Sequence, residues 1–492
     1  MPKKEDSLRG FNPAFLTAFI FMPIALLAGC GATQPTKLAP SATTNVSIEA
    51  ASTANDAVSI YDVAIKSLSL VSQTGATVPI ISTPVQAEFT HLNGPVEPIA
   101  VSQVPQGVYS SAEITVGDFS ILCVGLGIEG GVQGQGSSGN GQPANVTIIM
   151  PKPITVTGRN MTITLNMVLS QFVSISACST GSIPTNQQFE IYAGSGADSG
   201  ITQPVDVNPQ KLAALQGVVS SLNADGTSLT VDSVEGLPNV VAPVPAWTVE
   251  TNANTVFQGV AGASALDTGL PVEFDATIQP DGSLMASRIA VYDTSATNLS
   301  LWSGPLLSVP SSAKPILALG RQAAGPIYGQ QMAQLDASQA KFQVSGQFGN
   351  LASLPFAAAF SASNMVPGQN VDMTFHQASY PAGNNVPVVS TMTLVSQTID
   401  GQITAIGKSG AFTTYTVWLG TNDLFANLAF QPGQNNLLTT PRVVTVYADD
   451  NTQMLNSLPL AVNSFMRFNG LVFNDNGTLR MDCGQINDGV AE

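Results

Sequence analysis

The sequence predicts an all-β protein: a β-sandwich-like domain near the N-terminus, then three tandem small β-barrels of five to six strands each. Three observations carry this reading. Apolar residues alternate with others in "AVSIYDVAIKSLSLV", "AEITVGDFSILCV", "ANVTIIM" and "MTITLNMVL", the period-two pattern of strands with one face buried. A long helical period is nowhere evident. From residue 216 onward, one order of hairpin, strand and hairpin comes round three times, as expected of a tandem repeat.

Composition narrows the function classes. A chain of 492 residues is long enough for about three or four domains. Only 10% of its residues are charged, against a usual ~25%, so Ser, Thr, Asn, Gln and Gly must supply the polar surface. With 44% hydrophobic residues the chain has too much apolar content for charge-driven disorder. The net charge of −16 repels phosphate backbones, which argues against a nucleic-acid partner.

The N-terminus reads as an address. Lys3, Lys4 and Arg9 precede an apolar run from Phe15 to Leu27, broken only by Thr17 and Pro23. The run is shorter than the ~20 residues a membrane-spanning helix needs, and its charged start and small-residue end are those of an export signal. The run closes on Leu27-Ala28-Gly29-Cys30, which resembles the lipobox of bacterial lipoproteins. That resemblance implies removal of residues 1–29 and lipid attachment at Cys30, with more than one acyl chain holding the protein firmly to a membrane. Gly31 rather than Asp follows the cysteine, which under the enteric sorting rule implies the outer membrane. Residues 30–52, rich in Ala, Thr, Ser and Pro, read as a flexible tether.

Beyond the tether, residues 53–200 form the sandwich-like unit. Its segment Val104-Pro105-Gln106-Gly107-Val108-Tyr109 resembles the turn between strands in an uncharacterised sandwich domain of bacterial lipoproteins. Residues 201–215 read as a linker with one helical turn. The copies follow at 216–295, 298–398 and 401–489, the middle one degenerate. Gly217 opens the first copy, and Asp225-Gly226 and Asp281-Gly282 supply its hairpin turns. Gly401 opens the last, and Asn476-Gly477 turns its closing hairpin; dipeptides of this kind favour tight two-residue turns. The pattern resembles a small β-barrel repeat family of unknown function found in envelope lipoproteins, a likeness that speaks for fold and not for activity.

Motifs that suggest chemistry have plainer explanations. Gly134-Gln135-Gly136-Ser137-Ser138-Gly139 fits a dinucleotide fingerprint, yet Asn140-Gly141-Gln142-Pro143 and a strand follow where a helix is required; it reads as a mobile hairpin loop. Gly407-Lys408-Ser409 lacks the leading glycine of a phosphate loop and reads as a turn. "FNDNGTLRMD" places Val472 at the first position of a calcium loop, where a side-chain oxygen is needed. Cys123 and Cys178 both lie on strand-like runs of the sandwich and are expected to pair in an oxidising compartment; two buried thiols are the alternative. Cys483 is left as a core or free thiol. The two histidines, His91 and His376, fall in different domains, and nothing in the spacing marks a catalytic, metal or cofactor site. Trp247, Trp302 and Trp418 could stack on sugar rings, but Trp247 and Trp418 lie on strand-like runs where a core role is usual.

The expectation is therefore a lipid-anchored, non-enzymatic envelope protein whose β-domains bind an envelope protein or polysaccharide or serve a structural role. Carbohydrate or polymer binding is the alternative, and a hydrolase with an unmarked site a weaker one. Cys30→Ser is expected to abolish lipid labelling and release the protein from membranes; a variant retained on the membrane as before refutes the anchor.

Overall fold

The computed structural model describes residues 42–487, apart from 53–57, 93–94, 125–131, 138–144, 170–185, 195–210, 235–241, 295–298, 319, 324–331, 348–350, 377–385, 421–422, 431–441 and 455–458. The lipobox with Cys30 and the Cys123–Cys178 pairing lie outside the described residues and side chains. The fold is nearly all β, as the alternation requires. Among the described residues no helix is long and apolar enough to cross a membrane.

The first domain stacks two sheets. One has five strands, in the order Glu97–Pro105, Thr43–Ser52, Asn160–Met167, Asn186–Ala193, Asn145–Ile149. The other is built on Val58–Ser72 paired antiparallel with Gly107–Val124; Thr77–Ile81 and Val85–Glu88 flank the first of these, and Val132–Ser137 and Ile154–Val156 the second. The inward residues of both sheets, among them Ile48, Tyr61, Ile65, Phe89, Leu165 and Phe189, form one core. The segment Val104–Tyr109 carries the chain from one sheet to the other, and the Tyr109 hydroxyl donates back to the Pro105 carbonyl at 2.8 Å.

Three segments differ from the sequence reading. Residues 43–52, expected in the tether, are a strand in the middle of the five-stranded sheet, parallel to Asn160–Met167 and antiparallel to Glu97–Pro105. Its Val46, Ile48 and Ala50 alternate into the core, and the Thr, Ser and Ala residues of the stretch gave it the composition of a tether. Lys211–Leu215, expected at the end of the linker, starts a strand, Lys211–Leu222, because Leu212 and Leu215 are needed to cover the first barrel's core. The glycine run at 134–139 is no free loop as far as Ser137: Val132–Ser137 pairs with the strand Gly107–Val124, since glycine lowers strand preference without forbidding a sheet edge.

The repeat is a repeat of topology. In the first copy the strands are Lys211–Leu222, Ser228–Ser233, Ala246–Glu250, Val256–Gln258, Pro271–Ile278 and Leu284–Val291. Counted within the copy, they lie side by side in the order 3-2-1-5-6-4, and the parallel pairing of Val249 with Leu284 closes the barrel. The third copy repeats that order with Gln397–Ser409, Phe412–Leu419, Val443–Ala448, Gln453–Met454, Phe465–Asp475 and Thr478–Asn487, closed by parallel pairing from Val444–Leu479 to Tyr447–Asp482. The middle copy uses Leu299–Ser308, Ile316–Ala318, Met332–Gln334, Lys341–Val344, Asn370–His376 and Thr391–Leu394 in the same order. Among the described residues its closure is one parallel bridge, Asp336 to Val388, secured by hydrogen bonds of 2.8 Å from Asp336 N to Pro387 O and from Val389 N to Asp336 O. Closure removes the free sheet edges through which β-proteins associate wrongly.

Gly217 and Gly401 show what closure demands of the sequence. They occupy the same place in their copies, where the first strand bends over the second. A Cβ on Gly217 would sit 2.4 Å from Asp232 O, and one on Gly401 2.4 Å from Trp418 O. Gly401→Ala is therefore expected to destabilise the protein by roughly 1–3 kcal/mol through overpacking, read as a lower denaturant midpoint. Unchanged stability would show that the barrel can open enough to admit a methyl group.

Candidate functional site

Residues 42–492 form one compact unit, and the charged side chains absent from the surface meet inside it. A cavity of about 160 Å³ is lined by side chains from all four β-domains: Glu88, His91 and Glu97 from the sandwich, Gln216 and Glu273 from the first barrel, Arg321 and Asp372 from the middle copy, and Thr398, Phe425 and Asn469 from the third.

Strands or their ends deliver most of these side chains, while His91 comes from a turn and Phe425 from the short helix Leu424–Ala429. Glu88 ends the strand Val85–Glu88, and the turn after it brings His91 back. Glu88 accepts from the backbone N–H groups of Tyr61 and Thr90, both at 2.8 Å. His91 Nδ1 lies 2.7 Å from Glu88 Oε2, and Nε2 lies 3.0 Å from Glu97 Oε1. Arg321 Nη1 is 3.5 Å from the same Glu97 oxygen. Its Nη2 donates to the Gln216 carbonyl oxygen, and the Gln216 amide donates to Asp372 Oδ2. A line of six side chains thus runs Glu88–His91–Glu97–Arg321–Gln216–Asp372 through three domains.

Two further polar fasteners flank this line. Arg288 Nη2 reaches Glu273 Oε1 at 2.5 Å and Arg288 Nε reaches Asp275 Oδ2 at 2.7 Å. Ser345 of the middle copy donates to Glu273 at 2.8 Å, and the Tyr292 hydroxyl donates to its other oxygen. Arg467 of the third barrel, 1% exposed, reaches the Ser52 carbonyl of the sandwich at 3.5 Å and lies 4.0 Å from Asp400 Oδ1. Asp423 caps the short helix Leu424–Ala429 by accepting from Ala426 N at 2.7 Å, and also accepts from Asp400 N at 2.8 Å.

Electrostatics separate these acids. Burial pushes Glu88 up, but the His91 hydrogen bond and charge and the backbone donors outweigh it and hold the group at about 2. Burial and the Arg321 charge push His91 down, yet Glu97 and Glu88 leave it above its ordinary value. Asp372 goes the other way: burial, reinforced by the Glu273 charge, raises it to about 7 against the pull of Arg321, Ser303 and Gln216. Burial likewise raises Asp423 to about 7, with the Asp400 charge adding to it.

The sequence-marked residues are scattered. His91 is in the cavity wall; His376 is exposed at the end of its strand. Trp247 is buried, its indole N–H donating to Pro98 O at 2.8 Å, and Trp302 is buried against Phe375. Trp418, expected in a core, is instead 38% exposed on the outer face of the third barrel, because its strand alternates with Tyr415, Val417 and Leu419 in the inward positions. Cys483 is a buried free thiol in the third core, raised by burial. Lys408 and Ser409 lie in the strand Gln397–Ser409, with the tight turn at Gly410. Glu88, Glu97, Gln216, Arg321 and Asp372 had no distinguishing signal in sequence; the scarcity of charge on the chain was the only hint that each one matters. Among the described residues no group of three or more His, Cys, Asp or Glu is placed to hold a metal ion.

The raised Asp372 couples stability to pH. Between its unfolded value near 3.8 and its folded value of about 7, the folded state keeps a proton the unfolded chain has lost, so its contribution to stability falls as pH rises through that window. Asp372→Asn removes this loss. The variant is expected to match the parent near pH 4 and to exceed it above pH 7 by on the order of 2–4 kcal/mol, read from denaturant midpoints across pH; a gap that does not change with pH would refute the shift.

Comparison with known proteins adds little to this geometry. A family model described as a domain of unknown function, DUF5666, matches residues 216–290, within the first barrel. Among solved structures, a copper-bound CusF variant from Escherichia coli is 20% identical, covering 17% of this chain and 95% of that one, with a TM-score of 0.13. No curated protein matches.

Proposed function

We propose that this chain is a lipid-anchored protein of the bacterial cell envelope, held at Cys30 and located at the outer membrane, that works by presenting fused β-domains for binding or structural support and not by catalysis. The Leu27–Cys30 lipobox supports the anchor. The holding of His91 supports the non-catalytic half. A general base needs a free lone pair facing its substrate. Both ring nitrogens of His91 instead face carboxylates, at 2.7 Å and 3.0 Å, and those acids favour the protonated ring. His91 is thereby a structural cation between two strands of the sandwich domain.

Carbohydrate binding is the second reading, and Trp418 favours it, as an exposed ring flanked on its strand by Thr416 and Thr414. Two of the three tryptophans that prompted it are buried in cores, so the scaffold reading is preferred.

The full-length protein, offered ester, peptide and glycoside substrates, is expected to turn over none of them above the level of a His91→Gln variant. Turnover that is present in the parent and lost in His91→Gln would overturn the proposal.

A further inference from the structure

We infer that a second cleft, between the first barrel and the middle copy, binds a sugar acid, its carboxylate held by Lys341 and Gln258 and a ring hydroxyl by Gln343. This goes beyond the anchored-scaffold reading, does not depend on it, and does not involve Trp418.

The cleft lies on a seam that polar contacts hold in place. Asp293, just past the last strand of the first barrel, accepts from Ser390 Oγ at 2.8 Å and from Thr374 Oγ1 at 3.2 Å, both in the middle copy. The Gln343 amide of the middle copy donates to Thr393 Oγ1 at 2.9 Å and to Tyr292 O of the first barrel at 3.4 Å. Beside these contacts the two domains leave a space of about 440 Å³, a size usual for small-molecule sites. Its wall is mainly polar, where most such sites are mainly apolar, which points to a ligand rich in hydrogen-bonding groups.

Three side chains of this wall keep polar groups open. Lys341 is exposed, and among the described residues its ammonium makes no ion pair. Gln258 is half-buried; Arg288 Nη1 approaches its Oε1 at 3.5 Å, and among the described residues its NH2 group donates to nothing. Gln343, also half-buried, uses its NH2 group on the seam and keeps its carbonyl oxygen as an acceptor. Solvent reaches all three side chains, so a bound molecule can touch them. Asp293, the acid of this wall, already receives the Ser390 and Thr374 hydroxyls.

The open groups set the class. An ammonium and an amide N–H match the two oxygens of a carboxylate. Lys341 and Gln343 are alternate residues of the strand Lys341–Val344, so they share one side of it and stand about 7 Å apart, the length of a single sugar ring. A ligand that reaches from one to the other carries a carboxylate at one end and a hydroxyl at the other. A phosphate dianion would bring two charges to one ammonium, and an apolar ligand would strand all three polar groups. Gly346 leaves room for the Gln258 amide: a Cβ there would sit 2.3 Å from Gln258 Oε1 and 2.8 Å from Nε2. That collision is with the free end of a side chain, so an alanine would displace the amide and spare the fold.

The test is calorimetric titration of the full-length protein with glucuronate and galacturonate, against glucose, galactose and acetate. At least one uronate is expected to bind about tenfold or more tightly than its neutral sugar and than acetate, since each of these lacks one end of the ligand. Lys341→Gln, at an exposed position, is expected to remove that preference. Gly346→Ala is expected to weaken the uronate without changing any charge, and Trp418→Ala to leave it unchanged. The inference is overturned if no uronate binds, if a neutral sugar or acetate binds equally well, if Lys341→Gln or Gly346→Ala binds like the parent, or if Trp418→Ala abolishes binding. Each of these results leaves the anchor standing, because lipid labelling at Cys30 reads that separately.

Discussion

A buried guanidinium must find its counter-charge and its acceptors, and Arg321 finds them in domains other than its own. Glu97 belongs to the sandwich and Gln216 to the first barrel. With water excluded, leaving either partner behind would strand a charge in the interior, which is far more costly than the ion pair is favourable. The relative placement of three domains is thereby tied to one side chain. Arg467, reaching from the third barrel to Ser52 of the sandwich, and Glu273, receiving Ser345 from the middle copy, extend the same device to the remaining contacts.

This use of charge bears on the surface. The chain has 16 lysines and arginines against 32 acids. Arg288, Arg321 and Arg467 are buried in the polar fasteners, and so, among the described residues, are ten acids, so the outward face is poorer in charge and less acidic than composition alone suggests. Closed barrels add to the effect by withholding backbone edges. What remains to attract a partner is side-chain chemistry, either on the outer barrel faces or at the shared cavity.

The sandwich and barrels were legible because their information is local. Period-two alternation, the turns at Asp225-Gly226, Asp281-Gly282 and Asn476-Gly477, and the paired glycines 217 and 401 each report on a few neighbouring residues. Where local composition misled, a tertiary need had overridden it. The Ser- and Ala-rich stretch at 43–52 is a central strand because Val46, Ile48 and Ala50 complete the core against Ile163 and Leu165. Trp418 faces outward because Tyr415, Val417 and Leu419 of the same strand fill the third barrel's core.

By itself the sequence determined the fold class, the hairpin turns and the threefold repetition, since periodicity, φ preference and short motifs act over a handful of residues. The cavity was decided only in the tertiary structure. Glu88, Glu97, Gln216, Arg321 and Asp372 lie far apart along the chain, carry no shared spacing, and acquire their charge pairing and shifted acidity only when the packed β-domains exclude water from the place where they meet.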